Sequence, residues 1–94
     1  MSENKDNLNL AEIREKIDAA DEELKKAFLR RMGLVKQVAE YKKARGTAII
    51  DAGREREIIE RVTCGEDGRT KKYLTEFFSA LFAISKEFQK EELQ

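Results

Sequence analysis

The chain of 94 residues contains no histidine, no proline and a single cysteine, Cys64. Without histidine, a Ser-His-Asp triad and the common zinc sites are excluded. A lone cysteine cannot form an intramolecular disulfide, so the reducing cytoplasm is the predicted compartment. No stretch approaches the roughly 20 apolar residues of a membrane-spanning helix, and the polar start is unlike a signal peptide. We therefore expect a cytoplasmic protein with no membrane role.

An excess of either charge is also missing, since 19 basic and 19 acidic residues balance and are interspersed. Nucleic-acid-binding domains usually carry a basic excess on one face, so no nucleic-acid partner is expected. Charged residues make up 40% of the chain and apolar residues recur at helical spacing. These features predict an all-α protein that forms a single domain over residues 1–94, with residues 1–7 disordered.

Stop and cap signals predict three helices. The first ends at Gly46, with three basic residues in its last turns. Asp51 is a plausible N-cap for the second helix. A glycine-containing turn at Cys64–Gly68 precedes the third helix. The predicted helices are Leu8–Arg45, Ala52–Thr63 and Arg69–Glu92, with a short connector at Thr47–Ile50.

The first predicted helix is too long for a chain of this size. It would span over about 50 Å, whereas a compact chain of 94 residues is roughly 30 Å across. Between residues 27 and 41 it is apolar on almost all sides, which is typical of an enclosed helix. Gly33 in its interior indicates close approach of another backbone. We therefore expect an intertwined helical homodimer.

Two cations, Arg31 and Lys42, interrupt the apolar stripe of this helix. The stripe is otherwise formed by residues at steps of three or four, namely Leu10, Ile13, Ile17, Ala20, Leu24, Phe28, Val35 and Val38. Burying an unpaired cation is costly, so either anions lie nearby or the stripe lines a polar cavity. Eleven residues place the two side chains within roughly 20° and about 16 Å of each other, close enough to converge on one small anion.

Other polar residues also lie on predicted inner faces. Glu55 continues the apolar row of the second helix, and Ser85 and Gln89 continue that of the third. Glu55 could instead form a salt bridge with Arg31 or Lys42, and Gln89 could lie in a frayed helix end. Taken together, the cations, carboxylate, hydroxyl and amide predict a polar pocket inside a helical core. Arg14, turned by roughly 100° from Arg31, would reach only a partner's pocket or remain solvated.

Four segments in order resemble the all-helical (AroQ-type) chorismate mutase family, from about Leu10 to Gln89. They are IREKIDAADEEL (Ile13–Leu24), LRRMGLVKQVAEYKK (Leu29–Lys43), IIDAGREREI (Ile49–Ile58) and ISKEFQ (Ile84–Gln89). The resemblance implies an isomerase that converts chorismate to prephenate by a Claisen rearrangement, in phenylalanine and tyrosine biosynthesis. It implies no cofactor and no metal.

The resemblance also implies roles for the catalytic residues. Arg31, and Arg14 from the other subunit, would bind the two substrate carboxylates. Lys42 would contact a carboxylate and the ether oxygen, and Gln89 the same oxygen. Glu55 would accept a hydrogen bond from the ring hydroxyl.

Three further positions are implied to be substrate-binding. The backbone at Asp51 would assist the hydroxyl contact, and Arg54 and Ser85 would border the site. The chain departs from the family's usual pattern in lacking a proline in the connector and in placing Gly53 in the first turn of the second helix.

Two alternatives remain open at this point. An isochorismate-pyruvate lyase of the same fold also holds a dicarboxylate with arginines and a lysine, but Glu55 favours the mutase. A non-catalytic helical module for dimerisation or regulation would instead have Arg31 and Lys42 satisfied by protein carboxylates, with no cavity.

Overall fold

The computed structural model describes residues 9–46 and 51–93, which form three α-helices. The helices are α1 (Leu10–Arg45), α2 (Ala52–Thr63) and α3 (Gly68–Glu92). The all-α prediction is confirmed, and the predicted boundaries are correct to within two residues. The predicted disorder at residues 1–7 and the connector at 47–50 lie outside the described residues. No helix in the described part of the chain is both long and apolar enough to cross a membrane.

Helix α1 begins at Leu10 because Asn9 caps it. The Asn9 side-chain oxygen accepts hydrogen bonds from the backbone N–H of Ala11 at 2.9 Å and of Glu12 at 3.3 Å. These bonds satisfy donors that have no partner within the helix. An asparagine followed three residues later by glutamate is a start signal that could have been found in the sequence. At the other end Gly46 has a φ of +67°, the left-handed conformation that ends helices.

Carboxylate caps also set the starts of the two shorter helices. Asp51 accepts a hydrogen bond from the backbone N–H of Arg54 at 3.0 Å, which confirms the predicted cap of α2. Asp67 accepts one from the backbone N–H of Thr70 at 2.7 Å, so α3 begins one residue earlier than predicted. The bonds to the backbone and hydroxyl of Thr70 lower the pKa of the exposed Asp67 carboxyl below its ordinary value of 3.8.

The chain divides into two units, Met1–Met32 and Gly33–Gln94. In the second unit α2 packs against α3. Its buried apolar residues are Ala39 of α1, Ile58 of α2 and Phe82 of α3. Phe82 continues an aromatic row, since its ring lies 6.2 Å from that of Phe78. This unit carries most of the polar residues that the sequence pattern predicts to face inward.

In the first unit the apolar stripe of α1 is open to solvent. Its large side chains are between 37% and 58% exposed, namely Leu10, Ile13, Ile17 and Leu24. Such a contiguous apolar stripe usually marks an interface. Apart from its neighbours in the chain and the backbone of its own helical turns, Gly33 has no described atom within 4 Å of the position a Cβ would take. The backbone approach predicted there does not occur within the described part of one chain.

Two large apolar residues of α3 are exposed in the single chain. Phe77 is 47% and Ile84 is 48% exposed, whereas Phe82 is buried. Helical periodicity identified an apolar surface wider than the strip that α2 covers. Phe77 and Ile84 therefore lie on the part of the apolar surface of α3 that stays uncovered within one chain.

Candidate functional site

The clearest polar position in the second unit is Gln89, near the end of α3. Its side chain is 7% exposed, and its Oε1 atom has no hydrogen-bond partner among residues 9–46 and 51–93. Helix α3 continues through Glu92, and the N–H of Leu93 donates to the carbonyl of Gln89 at 3.0 Å. Gln89 therefore lies within a regular helical turn, and the alternative that it belongs to a frayed helix end is wrong. A buried polar atom without a partner is unusual and costs stability unless a ligand satisfies it.

Ser85 lies one turn before Gln89 and is also buried, at 6% exposure. Its hydroxyl donates to the backbone carbonyl of Leu81 at 2.9 Å. The hydroxyl therefore has a hydrogen-bond partner within its own helix. The sequence pattern predicted the burial of both Ser85 and Gln89, and that prediction is confirmed.

Glu55 of α2 is held beside the same turns of α3 by an ion pair. Its Oε2 lies 3.3 Å from Nζ of Lys86, and both side chains are half-buried. Lys86 directly follows Ser85 and precedes Gln89 by three residues, so the contact places Glu55 next to the polar end of α3. The sequence left open a salt bridge of Glu55 with Arg31 or Lys42, and the ion pair that the structure shows is with Lys86.

Lys86 was missed by the reasoning from sequence. It follows Phe82 by four residues and so flanks the buried row, which is the one available signal. A lysine at the edge of an apolar row usually extends into solvent, and periodicity alone does not distinguish this case. Only the packing of α2 against α3 identifies its carboxylate partner.

The remaining predicted residues differ in exposure. Lys42, in the second unit, is half-buried, as is Arg31 in the first unit. Arg14 is exposed on α1. Arg54 is exposed and pairs with Glu57 of its own helix at 3.3 Å. The Asp51 carboxylate caps α2, and its backbone carbonyl accepts a hydrogen bond from the N–H of Glu55 at 3.1 Å.

The arrangement in the second unit offers groups for binding but none for metal chemistry. Within residues 9–46 and 51–93, no cluster of three or more metal-ligating side chains could hold a metal ion. The described polar groups of this unit include the ammonium group of Lys42, the carboxylate of Glu55, the hydroxyl of Ser85 and the carboxamide of Gln89. Such a set can orient a polar organic molecule and stabilise charge that develops on it.

Comparison with known proteins agrees with a site that binds a polar organic molecule. The sequence model of the family described as chorismate mutase type II matches residues 13–90. A curated protein named chorismate mutase, from Methanocaldococcus jannaschii, is 37% identical over 87 residues. The match covers 90% of this chain and 88% of that protein. Similarity of this extent favours an enzyme over a non-catalytic helical module.

Proposed function

The chain belongs to the type II chorismate mutase family and is an isomerase, and we propose that it converts chorismate to prephenate for phenylalanine and tyrosine biosynthesis. The structural observation that carries the proposal is the buried Gln89 side chain, whose Oε1 has no hydrogen-bond partner among residues 9–46 and 51–93. We further propose that residues 1–94 form one catalytic domain and that the enzyme acts in the cytoplasm. The family match over residues 13–90 supports the single domain.

The reaction matches the available groups because it is a rearrangement within one molecule. One ether C–O bond breaks while one C–C bond forms, so no external nucleophile, proton or electron is consumed. The enzyme must hold the flexible substrate in its compact reactive conformer. Cationic side chains that bind the two substrate carboxylates can do this. In the proposal Arg31 and Arg14 provide these side chains, Arg14 from a second subunit.

Negative charge grows on the ether oxygen as the C–O bond breaks. We assign Lys42 and Gln89 as donors to that oxygen, fixed before the reaction and therefore able to stabilise the transition state. The ionic donor should contribute more than the neutral amide. Lowering the activation barrier of the rearrangement by roughly 8 kcal/mol would be enough for this reaction, and that value is at the lower end of enzymatic accelerations.

Gln89 must present its amide nitrogen to an ether oxygen, whereas the atom without a partner is Oε1. A half-turn of the terminal amide exchanges Oε1 and Nε2, which are nearly equal in size. After this exchange the unused position carries an N–H donor. The substrate's ether oxygen would then satisfy a buried group that has no partner in the described chain.

Glu55 is assigned to the ring hydroxyl of chorismate. An ionised carboxylate is an acceptor with two oxygens, so a hydroxyl that donates to it is recognised by position and polarity. Arg54, Ser85 and the backbone of Asp51 are proposed to border the substrate on this side. The buried Ser85 hydroxyl and the position of Asp51 at the start of α2 support these assignments.

We propose that the active enzyme is an intertwined homodimer with shared sites. The open apolar stripe of α1, from Leu10 to Leu24, supports this assembly because a second copy would remove it from water. Arg14 directly follows Ile13 of the stripe, so the same contact would carry Arg14 toward the partner.

The decisive experiment incubates purified protein with chorismate and follows its loss by absorbance. Prephenate is expected as the product, without release of pyruvate. A Lys42→Ala variant with the same circular dichroism spectrum is the control for contaminating activity. Release of pyruvate would identify a lyase of this fold, and a folded but inactive protein would refute the proposal.

A further inference from the structure

The ion pair between Lys86 and Glu55 differs from the Arg54–Glu57 ion pair of α2. It joins two helices, with Nζ of Lys86 and Oε2 of Glu55 3.3 Å apart and side chains only 32% and 30% exposed. The Arg54–Glu57 pair lies within one helix, and its side chains are 55% and 69% exposed. A better shielded pair is less weakened by solvent and salt, so it restrains its carboxylate more strongly.

The geometry of the pair leaves Glu55 able to bind a ligand. The ammonium group of Lys86 contacts Oε2, and the carboxylate has a second oxygen, Oε1, that can accept a hydrogen bond. The lysine therefore fixes the side chain from one side without using all of its acceptor capacity. Fixed acceptors bind at lower entropic cost than mobile ones.

Charge gives the pair a second effect. The proposed substrate carries two carboxylates, and the anionic Glu55 would repel them in a partly shielded site. The ammonium group of Lys86 offsets that charge while leaving the acceptor oxygen in place. Resting on the function proposed above, we propose that Lys86 is a positioning residue that orients Glu55 and offsets its charge, so that a dianion with a ring hydroxyl can bind.

Three single substitutions isolate this role. Lys86→Met keeps the length of the side chain and removes its charge, whereas Lys86→Arg keeps the charge. Lys90→Met removes an exposed cation one turn after Lys86. Both lysines line one shallow groove on the surface of α3. We expect Lys86→Met to raise KM about fivefold, the upper range for a partly exposed ion pair, with kcat unchanged. Lys86→Arg should restore most of the affinity, and Lys90→Met should leave KM unchanged.

A double-mutant cycle with Glu55→Gln tests whether Lys86 acts through Glu55. In the Glu55→Gln background, Lys86→Met should no longer raise KM, because the charge it offsets is gone. An equal rise in both backgrounds, or an equal rise from Lys90→Met, would overturn the proposal in favour of general attraction of the anion. A fall in thermal stability with no change in KM would reduce Lys86 to a structural role.

The two proposals fail in different ways. A wild-type protein that does not convert chorismate refutes the mutase assignment itself. An active wild type with an unchanged KM in Lys86→Met refutes only the role of the lysine.

Discussion

Replacing Gln89 with methionine should make the protein more stable and less active. The buried amide lowers the stability of the ligand-free protein, and in the proposed mechanism it donates a hydrogen bond to the substrate. The side chain is 7% exposed, and its Oε1 has no partner among the described residues. Methionine has a similar length, no strongly polar atom and enough flexibility to fill an irregular space. The substitution therefore removes polarity while nearly preserving volume.

The gain in stability follows from the unpaired atom. A buried polar group without a hydrogen bond costs about 1–3 kcal/mol, and a volume-conserving replacement usually costs less than about 1.5 kcal/mol in repacking. The net expectation is a rise of about 1 kcal/mol in the free energy of unfolding. For a domain of this size, that corresponds to an increase in Tm of about 4–8 °C.

The loss of activity follows from the proposed contact with the ether oxygen. Removing one donor that faces developing negative charge typically lowers kcat by about 10²–10³-fold. The loss should appear in kcat and in kcat/KM alike, because the contact strengthens in the transition state. A loss confined to KM would mean that Gln89 binds the substrate without assisting the bond cleavage.

The assay combines thermal unfolding at one fixed protein concentration with steady-state kinetics on chorismate. Gln37→Met makes the same chemical change at an exposed position of α1 and should alter stability by no more than about 0.5 kcal/mol. A Gln89→Met variant that is less stable than the wild type and fully active would refute both parts of the reasoning. Equal gains in Gln89→Met and Gln37→Met would show that the buried atom is not the cause.

Three further predictions concern the cations and the cap of α3. Lys42→Ala should lower kcat more than Gln89→Met does, measured with chorismate, since an ionic donor outweighs a neutral one; a smaller loss would contradict its role. Mixing inactive Arg14→Ala subunits with inactive Arg31→Ala subunits should restore activity if sites are shared, and demonstrated heterodimers without recovery would contradict sharing. Because hydrogen bonds to Thr70 lower the pKa of Asp67, its stabilising effect is present above its ordinary value of 3.8 and is lost as the pH falls through the lower folded value. The stability difference between wild type and Asp67→Ala in urea should therefore shrink in acid, and a constant difference would contradict the titration.

Local structure could be read from the sequence because its causes are local. A carboxylate at Asp51 caps the helix that follows it, and a glycine at Gly46 adopts the positive φ that ends the helix before it. The burial of Ser85 and Gln89 followed from their spacing after Phe78 and Leu81 on α3, because residues on one helical face share their surroundings.

Pairing between helices could not be read in this way. The sequence left open a salt bridge between Glu55 and a cation of α1, whereas the structure shows Glu55 paired with Lys86 of α3. Ile84 lies on the apolar surface of α3 but outside the strip that is covered in one chain. Periodicity states which face of a helix is apolar, whereas the depth and partner of each residue depend on how far the neighbouring helix extends over that face.

The sequence by itself determined the helical class, the cap of α2 and the family, since these depend on residue order and near neighbours along the chain. Only the tertiary structure decided which ammonium group holds Glu55 and that the polar atom of Gln89 is enclosed without a partner in the described chain. The contact of Glu55 with Lys86 joins α2 to α3 across the 30 residues that separate the two in the sequence. The physical reason is that burial and charge pairing depend on distances in space, which residue spacing along separate helices does not specify.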